Sequence, residues 1–153
     1  SRIGYNLKST DMEAALGFSQ IDKIEDFVIK RQENFKYYID IFKNFECFDL
    51  PVATANSKPS WFGFPLTINE NANFKRTDFL KHLEANNIGS RLMFGGNLKL
   101  QPAFEKLNLR SAENLPTADK VVEDSFWIGL YPGITKQMMD FVAQITEEFV
   151  TNG

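Results

Sequence analysis

Phe27, Val28, Arg31, Phe35, Tyr38, Ile39 and Phe42 recur at three- and four-residue steps, the spacing of one face of a long amphipathic helix. A stripe so rich in aromatic rings is unfavourable in water, so the chain must supply a layer to cover it. Strands are available. "FECFDL" (45–50) reads as a short strand stopped by Pro51, and 52–60 is a polar loop. In "WFGFPLTI", Phe62, Phe64, Leu66 and Ile68 alternate to one side. Pro65 has no N–H for a ladder, which predicts an edge or bulged strand.

Further elements alternate in kind. Thr10 and Glu13 match the Thr-x-x-Glu capping box, so a helix begins near Asp11, with a break around Asp22 to Asp26. Residues 76–86 read as a helix built on Phe79, Leu80 and Leu83, closed by a left-handed residue at Asn86-Asn87. "IGSRLMF" (88–94) follows as a strand. One or two short helices are expected between about 101 and 124, with Thr117 as a cap. "WIGLY" is another strand, ended by Pro132-Gly133. Thr135 caps a last helix, with Ile134 and Met139 as a hydrophobic staple and Met138, Val142, Ile145 and Phe149 along one face. The pattern predicts one α/β layer domain over residues 1–153, a small sheet covered by helices.

Charge and rare residues narrow the function. Seventeen basic and twenty acidic side chains, interspersed, give a net charge of −3, which offers no basic patch for nucleic acid or an anionic membrane. The apolar runs are too short for a membrane span, and no charged-then-apolar leader opens the chain, so a soluble cytoplasmic protein is expected. One cysteine, Cys47, and one histidine, His82, cannot build a disulfide framework or an ordinary Cys/His metal site. "SRIGYN" opens without Met and runs at once into a capped helix, so a piece of a longer protein is expected.

Few residues are candidates for chemistry. His82 lies on the flank of an apolar helix with no nucleophile or carboxylate beside it, and reads as a boundary histidine rather than a base. Cys47 reads as a buried small hydrophobe. Fifteen phenylalanines suggest either a sugar-stacking platform or a core, and their helix and strand spacing favours the core. Glu147 and Glu148 read as a solvated face. Arg91 stands out, for it sits among Ile88, Leu92 and Phe94 just before a Gly-Gly-Asn turn. It can fork onto a carboxylate or phosphate, or form a structural salt bridge. Asn6 in "GYN" can cap the chain or offer its amide to a phosphate.

Four stretches carry a resemblance: "IGYNLKSTDMEAALGFSQIDKI", "KPSWFGFPLTI", "SRLMFGGNLKLQPAF" and "FWIGLYPGIT". Together they are similar to the C-terminal part of the vitamin B6-dependent sugar aminotransferase and dehydratase family, the DegT/DnrJ/EryC1/StrS type. The last three resemble most its CDP-4-dehydro-6-deoxyglucose 3-dehydratase branch, of lipopolysaccharide dideoxysugar synthesis. The resemblance implies the small C-terminal domain of a fold-type I aminotransferase architecture with its connecting N-terminal helices, the large cofactor domain lying outside this chain. It implies a parent that uses pyridoxamine or pyridoxal phosphate as electron sink. In that branch a histidine replaces the Schiff-base lysine, and a reductase supplies electrons through a 2Fe-2S cluster.

All of those groups would lie upstream, so neither cofactor nor cluster is expected on this chain alone, and no catalytic residue or metal ligand is assigned within it. By the resemblance, Asn6 reaches the cofactor phosphate of the partner subunit in a homodimer. Arg91 lies at the substrate end of the site, and Asn97 and Gln101 in the 94–102 loop help enclose the CDP-sugar. The alternatives are a pyridoxal-phosphate nucleotide-sugar aminotransferase, and a non-enzymatic interaction or sugar-binding module.

Overall fold

A computed structural model of the chain describes residues 8–108, 110 and 114–152. The elements run α1 (Asp11–Ile21), α2 (Ile24–Phe42), β1 (Phe48–Asp49), β2 (Gly63–Ile68), α3 (Arg76–Ala85), β3 (Ser90–Leu92), a single 3₁₀ turn (Leu98–Leu100), α4 (Pro116–Asp124), β4 (Ser125–Gly129) and α5 (Lys136–Asn152). The strands form one antiparallel sheet in the order β1-β2-β4-β3. An α/β domain with a small sheet covered by helices is what the alternation of patterns predicts.

The helix ends follow local chemistry. Thr10 and Glu13 form both halves of the capping box of α1, with the Thr10 N–H donating to Glu13 Oε2 at 2.7 Å. The chain breaks at Asp22-Lys23, as expected. At the end of α3, Ile88 N–H donates to Leu83 O and Asn87 N–H to Glu84 O, the paired bonds of a Schellman motif. That motif needs a left-handed residue, and Asn87 supplies it with φ 60°. At α5 the Met138 N–H donates to Thr135 Oγ1, confirming Thr135 as the cap. The helix α4 differs from expectation: it starts at Pro116, so Thr117 lies inside it and caps nothing. Proline at the first helical position loses no hydrogen bond and presets φ, so the start falls there.

Helices α2, α3 and α5 lie on one face of the sheet and make the core with it. Phe35, Tyr38 and Phe42 from α2, Phe79 and Leu83 from α3, and Met139, Val142 and Ile145 from α5 join Phe64, Leu66, Ile68, Phe126 and Ile128 in one cluster. The rings contact one another in series, so most of the phenylalanine-rich composition is core. Cys47 is buried at its margin, where burial pushes its thiol up and keeps it protonated. His82 is half-buried, with Nε2 3.2 Å from Ile145 O and its ring beside Phe149, as a boundary histidine should be.

Four placements correct the sequence reading. Pro65 sits in an interior strand, paired with Trp127. It is tolerated because β1 is only two residues long and stands opposite Thr67 and Ile68, leaving the β1 side of Pro65 without a strand. Phe27 is exposed, because the stripe of α2 meets the core only from Phe35 onward. On α5 it is Met139 rather than Met138 that is buried with Val142 and Ile145. By angle Met138 falls between Val142 and Ile145, but it stands in the first turn of α5, where its sulfur meets the exposed Tyr131 hydroxyl at 4.0 Å instead of the core. The strand at 88–94 shortens to Ser90–Leu92, because the Schellman turn occupies its start and a tight turn its end.

Candidate functional site

The sheet has two unlike faces. Phe64, Leu66, Phe126 and Ile128 point to the helices, so the alternate residues point away from them. In this outward set Pro65, Trp127 and Arg91 stand in register across β2, β4 and β3. The Trp127 indole lies on Gly63: a Cβ there would come within 2.4 Å of its Cε3. Phe62 expected to join the core turns outward instead, its ring centroid 5.0 Å from that of Trp127. It precedes the first strand residue, where Arg31 holds the Trp61 and Phe62 carbonyls. Trp61, Phe62, Gly63, Pro65, Met93, Phe94 and Trp127 line a shallow apolar cleft.

Arg91 is exposed on the edge strand, and its side chain makes no hydrogen bond or ion pair among the described residues. The structural salt bridge that the sequence left open is therefore not formed among the described residues. Beside it, Arg76, Lys81 and Glu84 of α3 line a groove along β3, in which cations outnumber carboxylates. Arg76 is itself committed, donating from Nη1 to Val122 O and to Ser125 O, and so closes the end of α4.

The turn after β3 is held by side chains that the sequence assigned to a ligand. Asn97 is buried; its Nδ2 donates to Asp119 Oδ1 at 2.7 Å and its Oδ1 accepts from Lys99 N–H. Gln101 Nε2 donates to Gly95 O at 2.9 Å and closes the loop on itself. Both amides thus shape the loop, and Asn97 ties it to α4. Gly96 has φ 56°, and a Cβ there would approach Val122 Cγ2 to 2.4 Å. Gly96→Ala combines a left-handed backbone with this overlap and is expected to cost about 2 kcal/mol. Urea unfolding checks the cost, and faster proteolysis within 94–102 checks its location; an unchanged midpoint would show that the loop is not docked on α4. Asn6 lies outside the described residues.

Sequence reasoning missed the outward cleft and the clamps made by Arg31, Arg76 and Asp119. The cleft had a signal: in "SFWIG" the alternation that buries Phe126 and Ile128 sends Trp127 to the other face. The clamps had none, since each bonds a carbonyl or amide far away in sequence.

The same arrangement of sheet and helices recurs in solved structures. The E. coli GDP-4-keto-6-deoxy-D-mannose-3-dehydratase with bound hydrated PLP superposes with a TM-score of 0.85 at 25% identity, over 94% of this chain and 37% of that one. This is the aminotransferase fold-type I architecture. The DegT/DnrJ/EryC1/StrS aminotransferase family matches residues 1–147, and the chain belongs to it. It is 47% identical, over 98% of its length and 32% of the relative's, to the dTDP-4-dehydro-2,6-dideoxy-D-glucose 3-dehydratase of Saccharopolyspora spinosa. It is 43% identical, over 97% of its length and 34% of the relative's, to the lipopolysaccharide biosynthesis protein RfbH of Salmonella typhimurium. The chain therefore spans about a third of the length of these relatives.

Proposed function

We propose that this chain is the small C-terminal domain of a vitamin B6-dependent nucleotide-sugar 3-dehydratase, and that alone it is inactive. The observation that carries the reading is the match of nearly the whole chain to a third of a sugar 3-dehydratase. The reaction class is removal of the C3 hydroxyl from a 4-keto deoxysugar linked to a nucleoside diphosphate. Within it, the wording of "SWFGFPLT" and "FGGNLKLQPAF" supports CDP-4-dehydro-6-deoxyglucose. The relatives named for dTDP- and GDP-sugars make the base the point to test.

The donor set of this chain does not fit the parent's redox groups. A 2Fe-2S cluster takes four thiolates, and the one cysteine here is buried in the core. If the parent holds a cluster, fed by an electron-donating reductase, other residues bind it. Pyridoxamine phosphate would supply the electron sink in the parent. Asn6, by the family motif, would touch its phosphate across a homodimer. The described residues act on the substrate side: Arg91 offers a planar fork to the diphosphate, and the Asn97–Asp119 and Gln101–Gly95 bonds hold the neighbouring loop in shape.

The test uses the full-length parent, loaded with its cofactor and supplied in turn with CDP-, dTDP- and GDP-linked 4-keto-6-deoxysugars. Loss of the C3 hydroxyl is expected, fastest with the CDP-sugar; amino transfer to C4 instead would make the parent an aminotransferase. In the same enzyme Arg91→Lys keeps the charge but loses the fork, and substrate binding is expected to weaken by roughly 1.5–3 kcal/mol. Because Arg91 has no side-chain partner among the described residues, the enzyme's melting temperature should not change. A lower melting point with unchanged affinity would take Arg91 out of the site.

A further inference from the structure

The cleft on the outward face is built of rings, and several observations mark it as a site rather than spare surface. Phe62 and Phe94 are 67% and 81% exposed on its rim. Phe94 has φ 46°, a left-handed conformation that a bulky side chain adopts only where the surrounding structure holds it. The hold is visible: Phe94 N–H donates to Leu92 O at 2.8 Å and Gly96 N–H to Met93 O, while Gln101 and Asn97 secure the far side of the loop. The domain thus accepts backbone strain to keep an aromatic ring in solvent. Trp127 Nε1–H is closed off from solvent and has no acceptor among the described residues. Natural structures rarely leave such a donor unmatched.

The neighbourhood gives the chemistry of the occupant. Arg91 is the cross-strand neighbour of Trp127 on the same face, and its guanidinium, unpaired among the described residues, lines the groove along β3 that adjoins the aromatic cleft. Flat apolar walls with a cation at one side suit a planar heterocycle carrying phosphate. We propose that Phe62, Phe94 and Trp127 form the seat for the base of the nucleotide sugar, with the diphosphate on Arg91. The proposal rests on the nucleotide-sugar reading above and adds the part of the substrate that this chain grips. Ring stacking tolerates any base, so the seat sets affinity for the nucleotide while leaving the choice among pyrimidines and purines to other contacts.

Binding of free nucleoside diphosphates to the full-length, cofactor-loaded parent tests the proposal apart from turnover. CDP, dTDP and GDP are titrated calorimetrically against the parent, Phe94→Leu, Phe94→Tyr and Phe62→Ala, with inorganic pyrophosphate as a ligand that has no base. Phe94→Leu and Phe62→Ala are expected to weaken the nucleotides about ten-fold or more, to leave pyrophosphate unchanged, and Phe94→Tyr to keep wild-type affinity. Both rings are exposed, so the fold should survive, and circular dichroism verifies that it does. Nucleotide affinity unchanged in Phe94→Leu and Phe62→Ala overturns the proposal; a lowered melting temperature beside it would identify the cleft as a packing surface for the rest of the parent. A parent that dehydrates the sugar while both variants bind nucleotides normally would refute the seat and leave the function standing. Nucleotide binding lost in the variants without any 3-dehydration in the wild type would do the reverse.

Discussion

Phe64→Ala is expected to lower the stability of this domain by about 3–5 kcal/mol, the usual cost of emptying a buried phenylalanine site. Phe64 is fully buried in the centre of the sheet. Its ring meets those of Phe35, Tyr38 and Phe42 at centroid distances of 5.4, 5.0 and 5.4 Å, so one residue of β2 joins three successive turns of α2. Collapse around the lost ring is restricted, because the α2 side chains are themselves locked in contacts with one another and with Trp61, which stacks on Phe35 at 3.8 Å. A domain of this kind is stable by roughly 5–15 kcal/mol in total, so the substitution removes a large share. Urea unfolding measures it, with Phe62→Ala as the exposed control expected to cost under about 1 kcal/mol. Equal losses from the two variants would contradict the assignment of the two sheet faces.

Arg31→Met, the second of the large effects, should cost about 3 kcal/mol while leaving the α2 stripe apolar. Arg31 lies on the stripe at the step between Phe27 and Phe35, where a charge is out of place. Its Nη1 explains the exception, donating to Trp61 O and Leu130 O, both at 2.7 Å, and more weakly to Phe62 O. These carbonyls belong to the chain entering β2 and leaving β4, so a single guanidinium fastens the helix to both. Methionine keeps the stem but leaves part-buried carbonyls without a donor, and a hydrogen bond to a charged group is worth about 1.5–3 kcal/mol. Beyond the fall in midpoint, hydrogen exchange should speed up at Phe62 and Tyr131, next to the released carbonyls. A loss below about 1 kcal/mol would show that these bonds are dispensable. Asn34, whose Nδ2 donates to Tyr131 O, remains in place as a reference contact.

The helices and the inward face of the sheet were legible because their information is local. The Thr10–Glu13 box, the Thr135 cap and the Asn87 turn each satisfy backbone groups within a few residues, so the sequence alone names them. Alternation in "GFPLTI" likewise separates the buried from the outward side chains, because the pleat has a period of two, whereas the strand read at "WIGLY" in fact runs two residues earlier, over Ser125–Gly129. The family follows from sequence as well, because its motifs are contiguous stretches of the chain.

Other assignments depended on which segments come together. Pro65 is harmless in an interior strand only because β1 stops before reaching it, and no pattern around Pro65 encodes the length of another strand. Asn97 and Gln101 look like free amides in sequence. Tertiary structure turns the first to Asp119, 22 residues away, and the second back to Gly95, so that they hold a loop. The outward cleft exists because β2, β4 and the turn after β3 converge, bringing Phe62, Trp127 and Phe94 to one place with Arg91 beside them. Local periodicity sets which way a side chain points within its own element. Which distant group it meets is decided by strand register and chain crossing, and these emerge only when the whole core packs.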